Sequence, residues 1–389
     1  MLETLLILWL LPAAFSIVYL LLLARFGLRL PRACPALPFR TSGEDSEWRF
    51  NIVVPAHNEE AAIGVLLDSL QALDYPAEQL RLLVVADHCD DDTVALVRGR
   101  GVAVIDRQSG PRGKQAALAD GVQQLLPQMG ERDALVVFDA DNIVDRRFLI
   151  EAKRLLDAGY PVVQGNTGIH NRDASIFTRL NHVNFAVTNR FKELARSQAG
   201  LTCRLRGHGM LFRTDVVRTL DWQATSLVED AETLLKLVLS GQRVVWAHRA
   251  HVNSVIPATA ASATAQRKRW AGGKSELTKH AVRHLLKKAL TGDRVAFDLM
   301  IDYLMLSNAM LLGMIMVGLL SSLALFGPEH ALSLAYAALG LAFLGYFSLG
   351  CRLERVPLGS FFTFLFSPLF VLWRMWVQLA SLGGAKSWH

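Results

Sequence analysis

Cysteine is scarce. Cys34, Cys89, Cys203 and Cys351 are the only four in 389 residues, and no two form a C-x-x-C pair. That excludes a disulfide framework and a zinc site built on paired cysteines. Internal repeats and low-complexity segments are missing too. Charge is nearly missing from four long stretches. Residues 2–24 carry one charged side chain, Glu3, and the stretches 299–326, 331–350 and 359–381 are almost bare. Bare spans argue against a transporter, whose path needs ionisable groups inside several spans. What is present instead is apolar mass. Hydrophobic residues make up 52% of the chain, and mean hydropathy is +0.27. The excess sits at the two ends, and the middle reads as a soluble α/β protein.

The first run is long enough to span a bilayer. A cleaved signal peptide is its rival, but no basic segment precedes the run. Arg25, Arg29 and Arg32 follow it and put that flank in the cytosol. The loop 327–330 has no Lys or Arg, whereas the next contains Arg352 and Arg355. This alternation predicts a cytosolic middle domain with both termini outside. Arg374, inside the last span, must snorkel or face protein. All four cysteines then lie in or near the cytosol, where thiols stay reduced. The expected layout is a transmembrane helix over 1–24, a linker over 25–49 and a cytosolic domain over 50–263. An interfacial segment over 264–295, about three membrane helices over 296–381 and a tail over 382–389 complete it. Net charge is +6. Basic residues concentrate in 267–294, where Arg267, Lys268, Arg269, Lys274, Lys279, Arg283, Lys287, Lys288 and Arg294 face only Glu276 and Asp293. Next to a membrane span, this predicts an amphipathic helix on an anionic leaflet, not a nucleic-acid site.

From Phe50 onward short β-rich runs alternate with helical patterns. Strands are expected at 50–56, 80–87, 102–107, 134–141 and 161–165. Helices are expected at 59–73, 91–99, 114–126 and 148–158. Such alternation predicts a mostly parallel sheet covered by helices, with ligands at the carboxyl ends of its strands. Residues 55–59, Asp87 and Asp139–Asp141 fall at those ends.

Asp139-Ala-Asp141 closes a strand. Two carboxylates at i and i+2 can converge on one Mg²⁺ or Mn²⁺ whose remaining ligands come from a diphosphate. The bland alternative is an acidic turn. A phosphatase motif of D-x-D-x-[TV] type is a third reading, but Ile143 stands at its last position. Asp87 could accept hydrogen bonds from a base or ribose, and Asp90–Asp92 suit a turn and helix start. Ser226-Leu-Val-Glu229 matches a capping box, which leaves Asp230 either a surface carboxylate or a general base aimed into a cleft. In Gln266-Arg-Lys-Arg269-Trp270, Gln and Arg share a helix face. There Arg can clamp phosphate oxygens and Trp can stack on a sugar ring.

The separated Asp87, Asp139-x-Asp141, Glu229-Asp230 and Gln266-x-x-Arg269-Trp270, in this order, resemble the family 2 glycosyltransferases of the cellulose, chitin and hyaluronan synthase type. The match covers about residues 50–275 and the membrane region. It implies a GT-A, Rossmann-like nucleotide-sugar domain flanked by N- and C-terminal transmembrane helices. It implies inverting transfer from a nucleotide sugar, expected to be a UDP-sugar, to a glycan or lipid acceptor, aided by Mg²⁺ or Mn²⁺. Donor contacts fall to His57, Glu59, Asp87, Lys114, Asp139, Gln266 and Arg269. Metal ligands are Asp139 and Asp141, and Asp230 is the base. Gly207, His208, Gly209 and Trp270 lie on the acceptor side. Val228 departs from the family's Thr or Ser, and His88 from its Gly. The span count, about four, is low for a polymer-secreting synthase and also fits a glycolipid-forming enzyme similar to the ceramide glucosyltransferases. Secretion or assembly partners are compatible with either.

Overall fold

The computed structural model describes residues 1–30, 47–222, 229–258, 264, 277–278 and 280–363. Its centre is an eight-stranded mixed sheet in the order β3-β2-β1-β4-β7-β6-β8-β5. The strands are β1 (Arg49–Ala56), β2 (Leu80–Asp87), β3 (Ala103–Arg107), β4 (Asp133–Val137), β5 (Asn142–Val144), β6 (Val162–Ile169), β7 (Met210–Arg213) and β8 (Val244–Ser254). The first four pair in parallel. β7 lies antiparallel between β4 and β6. β8 runs parallel to β6, with a bulge between Gly165 and Asn166, and pairs antiparallel with β5. The sheet is therefore less parallel than the sequence suggests.

The parallel half follows from its apolar runs. Alternate residues point to opposite faces. Val53, Val85, Leu135 and Val137 face one core cluster, and Ile52, Val54, Val84 and Val136 face the other. Helices cover both faces, as buried parallel sheets require. They are α1 (Leu2–Gly27), α2 (Ile63–Gln71), α3 (Thr93–Gly99), α4 (Lys114–Leu125), α5 (Phe148–Asp157) and α6 (Ile176–Thr188). α6 continues through a π-helical stretch (Asn189–Leu194) into α7 (Ala195–Gln198). Then come α8 (Thr214–Thr219) and α9 (Glu229–Leu239), α10 over 280–289, α11 (Arg294–Leu304), α12 (Asn308–Phe326), α13 (Ala331–Leu353) and α14 (Leu358–Phe362).

Among the described residues, α1, α12 and α13 are long and apolar enough to cross a membrane. Their inner faces pack on α6 and the π-helical stretch through Ile17, Leu20, Val187, Phe191, Ile315 and Phe343. Gly318 lets the ring of Tyr336 lie against α12, and the Tyr336 hydroxyl donates to Leu6 O in α1 at 2.8 Å. The span read from sequence at 299–326 starts too early. The helix ends at Leu304, and α12 starts at Asn308 with Ser307 Oγ accepting from Met310 N. α11 instead turns Asp298 and Asp302 into a buried charge cluster. The expected span at 359–381 lies outside the described residues beyond Thr363, as do Arg374 and most of the linker.

Candidate active site

The carboxyl ends of β1, β2 and β4 open onto one cleft, and its loops are stitched to one another. After β1, Asn58 donates to Asp90 at 2.6 Å and accepts from Asp90 N at 3.0 Å. Glu60 N donates to Asp91 while the Glu60 carboxylate accepts from Asp92 N, both at 3.0 Å, and Glu59 N donates to Thr93 Oγ1. Asp90 and Asp91 thus build the loop, as their turn-forming chemistry suggests. His57 donates through Nδ1 to Asp87 O at 2.6 Å.

Asp87 is buried at the end of β2. Its carboxylate accepts from Gly113 N at 2.7 Å, from His88 Nδ1 at 2.8 Å and from Arg107. Burial works to raise its pKa, but these donors hold it below the usual carboxylate range. Asp87 therefore fixes the turn that launches Lys114. His88 has φ 52, a left-handed conformation that favours glycine. Its bond to Asp87 helps hold that geometry.

Lys114, the first residue of α4, reaches the centre of the cleft. Its ammonium pairs with Asp139, donates to Gly207 O at 2.9 Å and lies 3.7 Å from Glu229. Burial would lower its pKa, but Asp139 and Glu229 outweigh burial and hold it above the ordinary lysine range. Asp141 is pushed up to about 6, by burial first and then by Asp139. Glu59 is pushed up to about 7 by burial and by the Asp141 and Asp139 charges. Among the described residues no three His, Cys, Asp or Glu side chains could by themselves hold a metal ion.

Asp230 lies in the first turn of α9, its Oδ1 accepting from Ala231 N at 2.7 Å. Burial, then the Glu229 charge, raises its pKa to about 6. Ser226, the cap expected from sequence, lies outside the described residues, as do Gln266, Arg269 and Trp270. Opposite Asp230, Gly207 has φ 78 and Gly209 φ 63. A Cβ on Gly209 would sit 2.7 Å from Val252 Cγ1, so glycine is required twice over. His208 is buried and bonds Asn142 Oδ1 at 3.0 Å. Asn142 Oδ1 also accepts from Asp139 N at 3.0 Å. Burial drops the His208 pKa to about 4, so near neutral pH it is an uncharged donor that orients the Asp139–Asn142 turn.

The geometry adds residues that the sequence reading passed over. Gln164 in β6 is fully buried. It spans the Gly207 kink, accepting from Arg206 N at 2.9 Å and donating to His208 O at 2.9 Å. A lone Gln inside an apolar strand was its one signal. Asn142 and Glu193 had no comparable signal.

The structure therefore gathers Lys114, Asp139, Gly207, Glu229 and Asp230, with Asp141 beside them and Asp87 and His57 behind. The family model described as "Glycosyltransferase like family 2" matches residues 48–273, more than half of the chain. The chain belongs to this family. As a family 2 glycosyltransferase it is read as a hexosyltransferase, and the phosphatase and transporter readings are set aside. It is 24% identical over 319 residues to Bacillus subtilis YdaM, described as a probable glycosyltransferase, covering 77% of this chain and 74% of that one. It is 27% identical over 233 residues to the poly-beta-1,6-N-acetyl-D-glucosamine synthase of Staphylococcus aureus, covering 58% of this chain. It spans about half the length of that synthase, 54%. Among solved structures, it shares the fold of a Pyrobaculum calidifontis mannosyltransferase with a TM-score of 0.60. The two are 20% identical, and the match covers 92% of this chain and 99% of that one.

Proposed function

We propose that this glycosyltransferase transfers a hexosyl group, with inversion, from a UDP-sugar to a glycan or lipid-linked acceptor at the cytosolic membrane face. The observation that carries this reading is the convergence of the Lys114 ammonium on Asp139, Gly207 O and the Glu229–Asp230 turn. One cation joins a carboxylate pair suited to a metal–diphosphate to the helix start that bears a base.

In this reading Asp230 takes the proton of the acceptor hydroxyl. Its raised pKa keeps it mostly ionised at neutral pH yet basic enough to accept that proton. Lys114 neutralises charge beside the diphosphate. Glu59 is assigned to the donor side, and His57 and Asp87 act there from behind, by holding the turns that shape it. Gly207, His208 and Gly209 form a wall without bulky side chains on the acceptor side. Gln266 and Arg269 are assigned to the leaving diphosphate and Trp270 to the acceptor. Asp139 and Asp141 form an open, all-oxygen donor pair whose mutual repulsion would be relieved by a hard cation, so they fit Mg²⁺ or Mn²⁺. Such an ion would neutralise charge on the departing diphosphate. The Pyrobaculum mannosyltransferase was solved with GDP-Man and Mn²⁺, which agrees with this expectation. The named activity of the staphylococcal relative makes UDP-N-acetylglucosamine the first donor to test.

The test incubates purified protein with radiolabelled nucleotide sugars and Mn²⁺ or Mg²⁺ and follows label into lipid or polymer. Transfer from a UDP-sugar is expected. Failure with every donor, in membranes as well as in detergent, would overturn the proposal.

A further inference from the structure

We propose that Glu193 is a positioning residue for the acceptor side of the cleft, a role that rests on the glycosyltransferase reading above. Glu193 is fully buried in the π-helical stretch Asn189–Leu194. Its two oxygens hold consecutive parts of the segment that ends at Gly207. Oε2 accepts from Arg204 N at 2.9 Å, and Oε1 accepts from Arg206 Nη2 at 2.8 Å. Arg206 immediately precedes Gly207, whose carbonyl takes the Lys114 ammonium. Its guanidinium lies over the Phe185 ring at 5.6 Å. The other side of the kink is gripped by Gln164.

Behind Glu193 stands a second carboxylate. Asp302, 1% exposed, pairs with Arg204, with Arg196 at 2.7 Å and with Lys192 at 3.0 Å. Arg196 also binds Asp298 at 3.0 Å and the Tyr19 hydroxyl at 3.0 Å. A chain of paired charges thus runs from the first membrane helix to the residue before Gly207. For stability alone, such a chain is a poor choice. Well-packed apolar residues commonly replace buried ion pairs at no loss. Apolar residues could not fix both the backbone of Arg204 and the head of Arg206, and a glycine-rich segment with two positive φ angles needs an outside clamp. Glu193 supplies that clamp without touching the donor side.

The test uses the full-length protein in membrane vesicles with radiolabelled UDP-N-acetylglucosamine. It compares wild type, Glu193→Gln, Arg206→Gln and the double variant. Glutamine keeps the acceptor for Arg204 N and removes the charge that holds Arg206. Three quantities are read: calorimetric UDP affinity, the ratio of transferred label to free sugar, and hydrogen exchange of the peptide over 202–209. Each single variant is expected to lower the transfer-to-hydrolysis ratio roughly ten-fold, the size of one charge-assisted hydrogen bond. UDP affinity should not change, exchange over 202–209 should accelerate, and the double variant should be no worse than a single. An unchanged ratio, additive losses, or a parallel loss of UDP affinity overturns the proposal. If a single variant does not accumulate, the double variant decides, because it removes both charges and leaves neither buried without its partner. If wild type does not turn over this donor, the choice of donor fails separately. The exchange measurement then decides for Glu193, and unaltered exchange over 202–209 counts against it.

Discussion

Replacing Asp230 by Asn keeps the size of the side chain and removes its basicity. General bases contribute about 10²–10⁴-fold, so kcat should fall by that factor, while UDP should bind with Mn²⁺ as it does to wild type. The pH dependence gives an independent handle. Burial and Glu229 raise the Asp230 pKa to about 6. Wild-type kcat/KM should therefore rise with pH and break near 6, and the residual rate of Asp230→Asn should have a shallower break, leaving only what Asp141 and Glu59 contribute. Stability should move the opposite way. A pKa raised from 3.8 to about 6 means the fold disfavours the charged carboxylate. The stability linked to its protonated form is complete below 3.8 and is lost as pH rises through about 6. The penalty at pH 7.5 is at most about 3 kcal/mol by linkage, less where solvent reaches the group. Asp230→Asn should thus melt no lower than wild type at pH 7.5, and the two should converge at pH 4. Near-normal turnover would refute the assignment, and lost UDP binding would move Asp230 to the donor side.

Asp141→Ala should abolish transfer in a folded protein. Wild type should stop in EDTA and recover with Mn²⁺; if Asp141→Ala in EDTA is as active as wild type in Mn²⁺, the carboxylate pair holds no metal. A cysteine at exposed Gln124, in a background lacking the natural four, should react with an impermeant maleimide only after cell lysis, and labelling of intact cells would reverse the topology. Gly318→Leu should cost about 1–3 kcal/mol by overpacking, because its Cβ would fall 2.2 Å from the Tyr336 ring. Gly345→Ala, with open space at its Cβ, should not lower thermal stability, because alanine suits a helix interior better than glycine.

The parallel half of the sheet was legible because strands buried on both faces are continuous apolar runs. Expected and observed bounds agree closely for β1 and β2, whereas β4 ends at Val137, four residues short of the expected Asp141. β8 was not read. His248, Arg249 and His251 interrupt its apolar pattern, and residues 248–250 are displaced where its register with β6 shifts. β5, three residues long, is too short to show a period. The chain order of the acidic motifs was legible; their meeting on Lys114 was not, since spacing along a chain carries no distance across a sheet. The buried charges of the π-helical stretch were invisible for a related reason. Hydrophobic periodicity marks apolar faces only, so Arg190, Lys192, Glu193 and Arg196 look like a solvated helix surface. At His88 the departure from glycine was visible in the sequence, but the left-handed backbone behind it was not.

The π-helical stretch also sets how this region can evolve. A π turn holds one residue more than an α turn, and each residue of a helix advances about 100°. Deleting one residue between 189 and 194 would relax the π turn to a regular α turn and leave Ala195–Gln198 facing as they do. Inserting one residue, or deleting two, has no such slack and would swing Ala195–Gln198 by about that angle. Arg196 would then leave Asp298 and Asp302, which would be buried without their main cation. In variants of this chain that still function, length changes within 189–198 should be confined to the loss of a single residue, and other insertions and deletions should collect in exposed turns such as 99–101.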